Sequence, residues 1–153
     1  MEIQFFKPSG PNGFLSNYLR YRFRLGCRQW DSVEHFYQAS KFSHFPDLEE
    51  KVRRLPDPDA AKGFTRERIH LWRADWLEVR NRVMWEAIRA KFGQSGFLTR
   101  ELLLTGDARL CEVSPFDSYW GSGPDGLGLN RLGRMLMHLR HRLKRDSEDP
   151  AAH

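Results

Sequence analysis

The sequence predicts a mainly helical fold with a few short strands, gathered into one domain. Three observations lead there. Apolar residues recur at steps of three and four through several segments, most plainly at Leu129, Leu132, Leu136, Leu139 and Leu143. The stretches with strand character are short: residues 2–6, 21–25, 28–30 and 110–113. Proline and glycine clusters punctuate the chain without forming a linker. A length of 153 residues sits near the mode for one domain and is enough to bury a core. The domain is set at 1–145, with 146–153 as a polar tail that frays.

Residues 2–6 alternate loosely as a first strand, and the turn cluster Pro8 to Gly13 ends it. Tyr21–Leu25 and Arg28–Trp30 flank Gly26-Cys27 as a hairpin. That hairpin delivers the chain into a helix across Trp30–Phe42, capped by Asp31 or Ser32. With Asp31 as cap, Glu34 falls at the third position and completes a capping box. Pro46 to Arg54 is a short helix, broken by Pro56-Asp57-Pro58-Asp59. Ala60 to Gly63 makes another turn of helix. Asp75 caps the longest helix, which ends at Gly93 and carries apolar residues on two sides, among them Leu77. Phe97–Leu104 is a further helix stopped by Thr105-Gly106. The last helix runs from about Leu129 to Lys144.

Composition narrows the function. With 40% apolar, 13% aromatic and 29% charged residues the chain is globular rather than disordered. Five Trp and eleven Phe suit a core, and equally a pocket that stacks on flat rings. A net charge of +5 favours anionic partners such as phosphates, nucleotides or nucleic acid, although no Lys/Arg run has the density of a nucleic-acid arm. Cys27 and Cys111 are far apart, without metal-ligand spacing, and are expected to be buried thiols of a cytoplasmic protein. No apolar run approaches 18 residues, so no membrane association is predicted. No His/Cys/Asp cluster has ligand spacing, so no metal is predicted, and nothing calls for a cofactor.

Chemistry concentrates on the Trp30–Phe42 helix. Projected at about 100° per residue, Val33, Phe36, Ala39 and Ser40 gather on one side and Glu34, Tyr37, Gln38 and Lys41 on another. The second side mixes an acid, a phenol, an amide and an amine, which is unusual for a solvated face. Glu34 and Lys41 lie two turns apart, about 10 Å along the axis, and can lean together over a small molecule. The plainer alternative is a capping glutamate and a lysine that complements the helix dipole.

The loop Phe116–Gly128 is the second candidate. Its Gly121-x-Gly123-x-x-Gly126 spacing formally matches a dinucleotide fingerprint. That reading is rejected, because no apolar strand feeds the loop and Pro124 interrupts it. What survives is close backbone approach at Gly121 and Gly123, and a following helix N-terminus that offers amides to a phosphate or carboxylate. An ordered surface loop is the alternative.

These stretches together resemble the NADAR or YbiA-like family. The matching pieces are Gly13-Phe14-Leu15-Ser16-Asn17-Tyr18, then Trp30-x-Ser32-x-Glu34-His35-Phe36-Tyr37-Gln38-Ala39-x-Lys41-Phe42, and Arg73-x-Asp75-Trp76. Met84 through Phe92, Leu102 to Thr105, Asp117-x-x-Trp120-Gly121-x-Gly123 and Gly128-x-Asn130-x-Leu132-Gly133 through Arg140 complete them. One region departs from the family pattern: Lys62-Gly63 is followed by Phe64 where Arg is expected, so the resemblance assigns no role to residues 61–72 and their substrate contacts are left open. The resemblance implies a single α+β domain, mainly helical with a small β-sheet. It also implies an N-glycosidase that cleaves a ribose C–N bond, either in phosphoribosylamino-pyrimidine intermediates of riboflavin synthesis or in ADP-ribose linked to guanine of DNA or RNA.

Such chemistry builds positive charge on the sugar and negative charge on the departing base. Glu34 can serve as electrostatic stabiliser or general acid–base. Lys41 can hold a phosphate, or its neutral amine can attack the ring-opened sugar. Asp117 is the third catalytic candidate, placed to bind ribose hydroxyls. Trp76 and Trp120 are candidates to stack on a base. Asn17, Trp30, Tyr37, Gln38, Arg73, Gly121, Gly123 and Asn130 complete the binding set, with Asn130 equally able to cap the last helix. Two competing classes are a nucleotide or ADP-ribose reader without turnover, and a protein that binds plain nucleic acid through its charge. The number of subunits is left unassigned.

Overall fold

In the computed structural model, residues 1–149 are described. They fall into two compact units: Met1–Leu19 together with the chain from Phe92 onward, and Arg20–Lys91. The expected small sheet is two separate strand pairs, one in each unit.

In the first unit β1 (Glu2–Phe5) pairs in parallel with β4 (Arg109–Glu112), with Ile3 opposite Leu110. A 3-10 turn at Gly13–Leu15 ends the loop after β1. Gly13 has no room for a side chain, since a Cβ there would sit 1.9 Å from the Pro8 carbonyl oxygen. Helices α5 (Gly96–Leu104) and α6 (Arg131–Glu148) complete this unit, and α6 packs on β4. Ser95 caps α5 by accepting from the Leu98 amide. Leu132, Leu136 and Leu139 bury the expected seam, whereas Leu129 is exposed. Arg140 reaches the Thr105 hydroxyl at 2.9 Å and the Ala108 carbonyl at 2.8 Å, tying α6 to the stop of α5.

The last helix therefore starts two residues later than its periodicity suggests and runs four residues further. Asp146, Ser147 and Glu148 are helical rather than frayed; residues 150–153 of the expected tail lie outside the described chain.

In the second unit β2 (Phe23–Leu25) and β3 (Arg28–Trp30) form the expected hairpin. Gly26 and Cys27 both take positive φ, 62° and 63°, as a two-residue turn of this twist requires. That places Cys27 at an exposed hairpin tip, which corrects the expectation of two buried thiols; Cys111 is buried. Helix α1 (Val33–Ala39) follows and continues as a 3-10 turn, Ser40–Phe42. It packs against α2 (Pro46–Arg53) and α3 (Pro58–Arg66). α2 ends ahead of Pro56 as expected, and Pro58 opens α3 two residues before the expected start: Asp57 accepts from the Ala60 amide and proline occupies the first turn, where its missing N–H costs nothing. The helix then continues through Gly63 to Arg66.

α4 (Trp76–Gly93) begins and ends where the sequence indicates, but Leu77 is exposed rather than packed. No helix among the described residues is long and apolar enough to cross a membrane.

Candidate active site

The site is built on α1, whose ends are fixed first. Ser32 is the cap: its hydroxyl accepts from the His35 amide at 3.1 Å, while Asp31 turns away to Arg20 and Arg22. The same hydroxyl lies 2.7 Å from His35 Nδ1, and His35 Nε2 meets the Leu55 carbonyl at 3.0 Å. That pattern fits an Nε2-protonated ring, donating to Leu55 and accepting from Ser32. With Ser32 as cap, Glu34 stands second in the helix and is not the partner of a capping box. Residue 35 holds the third position, a role the sequence reading missed for a wholly buried histidine. At the far end the Arg73 amide donates to the Lys41 carbonyl at 2.8 Å.

All four members of the mixed face are buried: Glu34 at 7% exposure, Tyr37 at 7%, Gln38 at 4% and Lys41 at 7%. Gln38 Nε2 donates to Glu34 Oε1 at 2.6 Å, while the amide oxygen of Gln38 is buried without a hydrogen-bond partner. The Lys41 amine lies 3.9 Å from the Trp72 ring centroid, 5.2 Å from Tyr37 and 5.5 Å from Trp76. Tyr37 and Trp76 meet edge to face at 4.9 Å. Among the described residues Lys41 Nζ makes no hydrogen bond or ion pair.

Burial pushes the Lys41 amine down to about 8. Glu34 pulls the other way, and Lys62, Arg66 and Arg80 add to the lowering. About one molecule in ten then carries a neutral amine at pH 7, against about one in three thousand for an ordinary lysine. An amine that is buried, faced by aromatic rings and not ion-paired to an acid is equipped for nucleophilic chemistry.

Trp72 is the member of this group that the sequence reading left out. Its indole N–H donates to the Thr65 carbonyl at 3.0 Å, which fixes the ring against the lysine. It follows a short 3-10 turn, Ile69–Leu71, where no periodicity marks a face. Arg73 joins through its backbone; its guanidinium is held by Asp75 at 2.6 and 3.0 Å. Trp30 is core: its indole N–H donates to the Leu25 carbonyl at 2.9 Å and its ring meets Phe36 edge to face.

The remaining candidates belong to the other unit. Asp117 Oδ1 accepts from the Tyr119 and Trp120 amides, both at 2.8 Å, and so holds the turn of the glycine loop. Trp120 is buried against Tyr119. Gly121 is required by packing, since a Cβ would lie 2.8 Å from the Glu112 carbonyl. Gly123 takes φ +72°, with Ser118 in the way of any side chain.

The expectation of free amides at the start of α6 is overturned. Leu129, Asn130, Arg131 and Leu132 donate to the carbonyls of Ser118, Gly121, Tyr119 and Trp120, so the loop itself fills the place allotted to an anion. Asn130 sits at the cap position with φ 48° and does not cap with its side chain. Its amide bridges β4 instead, donating to Leu110 at 2.9 Å and accepting from Glu112 at 3.1 Å. Asn17 is buried beside Ser16. Among the described residues no group of three or more His, Cys, Asp or Glu side chains converges as metal ligands would.

Fold and site define a small α+β enzyme whose acid and amine ride on one buried helix. The chain belongs to the NADAR domain family, whose model matches residues 4–144. It is 38% identical over 141 residues to N-glycosidase YbiA of Escherichia coli, covering 92% of this chain and 88% of that one. It is 36% identical over 146 residues to N-glycosidase Npun_R5314 of Nostoc punctiforme, covering 94% of both. It is also 42% identical over 142 residues to riboflavin biosynthesis protein VVA0006 of Vibrio vulnificus; that match takes in 93% of this chain but spans only 38% of the Vibrio protein. The solved structure of E. coli YbiA superposes with a TM-score of 0.88 at 36% identity, covering 97% of this chain and 90% of that one. N-glycosidase function, the hydrolysis of N-glycosyl bonds, is the activity of the enzymes so named, and this chain is a hydrolase of that class.

Proposed function

We propose that this enzyme hydrolyses the ribosyl C–N bond of phosphoribosylamino-pyrimidines, small nucleotide-type intermediates of riboflavin synthesis. The observation that carries the proposal is Lys41: an amine at about 8, walled by three rings and not ion-paired, in the 3-10 turn that continues the helix bearing a buried carboxylate. The name of the Vibrio relative supports the pathway. The proposed cytoplasmic setting suits a phosphorylated substrate and two free thiols.

In the proposed sequence the Glu34 carboxylate carries the proton of the exocyclic N–H to the ribose ring oxygen as the ring opens to the C1 imine, and is a carboxylate again once the ring is open. The neutral Lys41 amine adds to C1, the C1–N bond to the pyrimidine breaks, and the pyrimidine leaves as its free amine, taking the two protons lost by Lys41 as the C1 imine passes to the lysine nitrogen. Water then adds to the Lys41 imine, releasing ribose phosphate and restoring the amine. One water is consumed and one C–N bond is broken. Gln38 holds Glu34 in place and turns its unpartnered oxygen to an N–H or O–H of the substrate. Tyr37, Trp72 and Trp76 exclude water and offer faces to the base.

The test is base release, followed by chromatography, from phosphoribosylamino-uracil and from ADP-ribosylated guanine. Loss of the pyrimidine from the first is expected; loss only from the second would move the substrate to modified nucleic acid. Glu34→Gln and Lys41→Ala should each slow release about 100-fold or more with folding intact. Borohydride should trap the sugar on Lys41, visible as a mass increment on its peptide.

A further inference from the structure

We propose that α3 carries an anion subsite, formed by Lys62 and Arg66, that holds the phosphate end of the substrate; this rests on the N-glycosidase reading above. The two residues are four apart and share one flank of α3. That flank borders the buried edge made by Ala61 and Thr65. α3 is fixed beside the reactive lysine by two independent contacts. Its Thr65 carbonyl receives the indole of Trp72, whose ring faces the Lys41 amine at 3.9 Å, and Phe64 meets Phe42 edge to face at 6.4 Å. Both cations lie close enough to Lys41 to act on its charge.

Neither cation is neutralised. Among the described residues, Lys62 and Arg66 make no ion pair or hydrogen bond, although Asp59 stands one turn before Lys62 and Glu67 follows Arg66. Glu67 pairs instead with Arg68 at 3.6 Å. Several other arginines of this unit are matched to acids: Arg28 and Arg53 to the α2 glutamates, Arg54 to Glu50, Arg73 to Asp75. Two unmatched cations beside a third, on a helix that touches the reactive centre, repel one another until an anion joins them. A guanidinium and an ammonium one turn apart suit a phosphate, the first as a fork and the second as a point charge. The assignment frees Lys41 from phosphate binding and leaves it to the sugar carbon. It also gives a role to the stretch where this chain departs from its family's pattern.

Ribose 5-phosphate is the probe, titrated into the full chain by calorimetry beside ribose lacking the phosphate. The pair Lys62→Met and Arg66→Met should weaken ribose 5-phosphate binding at least about tenfold, as loss of charge-assisted hydrogen bonds does. The swap Lys62→Arg with Arg66→Lys should keep affinity within about threefold. Both sites are at least partly exposed, so both variants should melt as the parent does. Unchanged binding by the Met pair, or equal loss in the charge-retaining swap, overturns the subsite. The two proposals fail separately. A chain that binds ribose 5-phosphate through this pair yet releases no base keeps the subsite and loses the reaction. One that releases base while the Met pair binds the probe normally keeps the reaction and loses the subsite.

Discussion

The role of Lys41 can be decided by the direction of one pH limb. If its neutral amine attacks the sugar, kcat/KM tracks the unprotonated fraction. With the group at about 8, that fraction is about 0.09 at pH 7, 0.5 at pH 8 and 0.9 at pH 9, so kcat/KM should climb about tenfold from pH 7 to 9 and level off. If the ammonium instead holds a phosphate, the same arithmetic reverses and the constant falls about tenfold. The substrate phosphate does not blur the result, because its second ionisation lies near 6 and is complete over most of this range. The neighbours supply a second check of opposite sign. Lys62 holds the amine down, so Lys62→Met should move the midpoint above 8; Glu34 holds it up, so Glu34→Gln, read on its residual activity, should move the midpoint below 8. The assay is base release at subsaturating substrate between pH 6 and 9.5. A falling limb, or midpoints that shift together in the two variants, would refute the nucleophile assignment.

Four further outcomes follow from the packing. Gly133→Ala should cost about 3 kcal/mol or more by urea denaturation, because the new Cβ would sit 2.2 Å from the Leu110 carbonyl, where α6 crosses β4; a loss under 1 kcal/mol would show that the crossing is looser than described. Asn130→Ala removes both hydrogen bonds to β4 and should cost about 2–4 kcal/mol by the same measurement, with a wild-type KM if its role is structural. Ser32→Ala should cost about 1–2 kcal/mol, the loss of a cap plus the hydroxyl facing His35, and an unchanged melting temperature would count against it. Lys91 is pushed by burial from 10.5 down to about 7, so the unfolded chain binds its proton more readily between those values and stability should rise with pH there, by up to about 1.4 kcal/mol per unit; Lys91→Met should flatten that slope in denaturation curves at pH 7 to 9.

Much of the fold was legible because its signals are local. The hairpin at Gly26-Cys27, the start of α4 after Asp75 and the stop of α5 at Thr105-Gly106 each depend on a few adjacent residues. Misreadings arose where tertiary contacts decide. Asp31 and Ser32 are equivalent caps on paper; Arg20 and Arg22 take the first and leave the second to the helix. The glycine loop shows the same limit from another side. The unsatisfied amides that begin a helix require acceptors. Sequence reveals that requirement but not whether protein or ligand meets it, and here the carbonyls of residues 118–121 do. Trp72 was invisible because its place depends on a carbonyl seven residues back, not on helical spacing. The Lys62–Arg66 pair would have been readable had α3 been carried past Gly63.

The acid and the amine of α1 are worth more apart than together. A lysine paired with a glutamate is stabilised as the ammonium and loses its use as a nucleophile. Two features keep these two from pairing. Gln38 engages Glu34 at 2.6 Å from within the same helix, and the chain tightens into a 3-10 turn at Ser40–Phe42, which lengthens the rise between residues 34 and 41. Ring faces then take the place of a carboxylate around the ammonium; a cation–π contact tolerates the charge without holding the proton as tightly as an ion pair does. The helix is pinned at both ends, by His35 to Leu55 and by Arg73 to the Lys41 carbonyl, so this separation is fixed by the backbone and does not depend on side-chain chance. An arrangement that gives up a buried ion pair has a stability cost, and in the proposed mechanism the reactivity of an unpaired amine is what that cost supports.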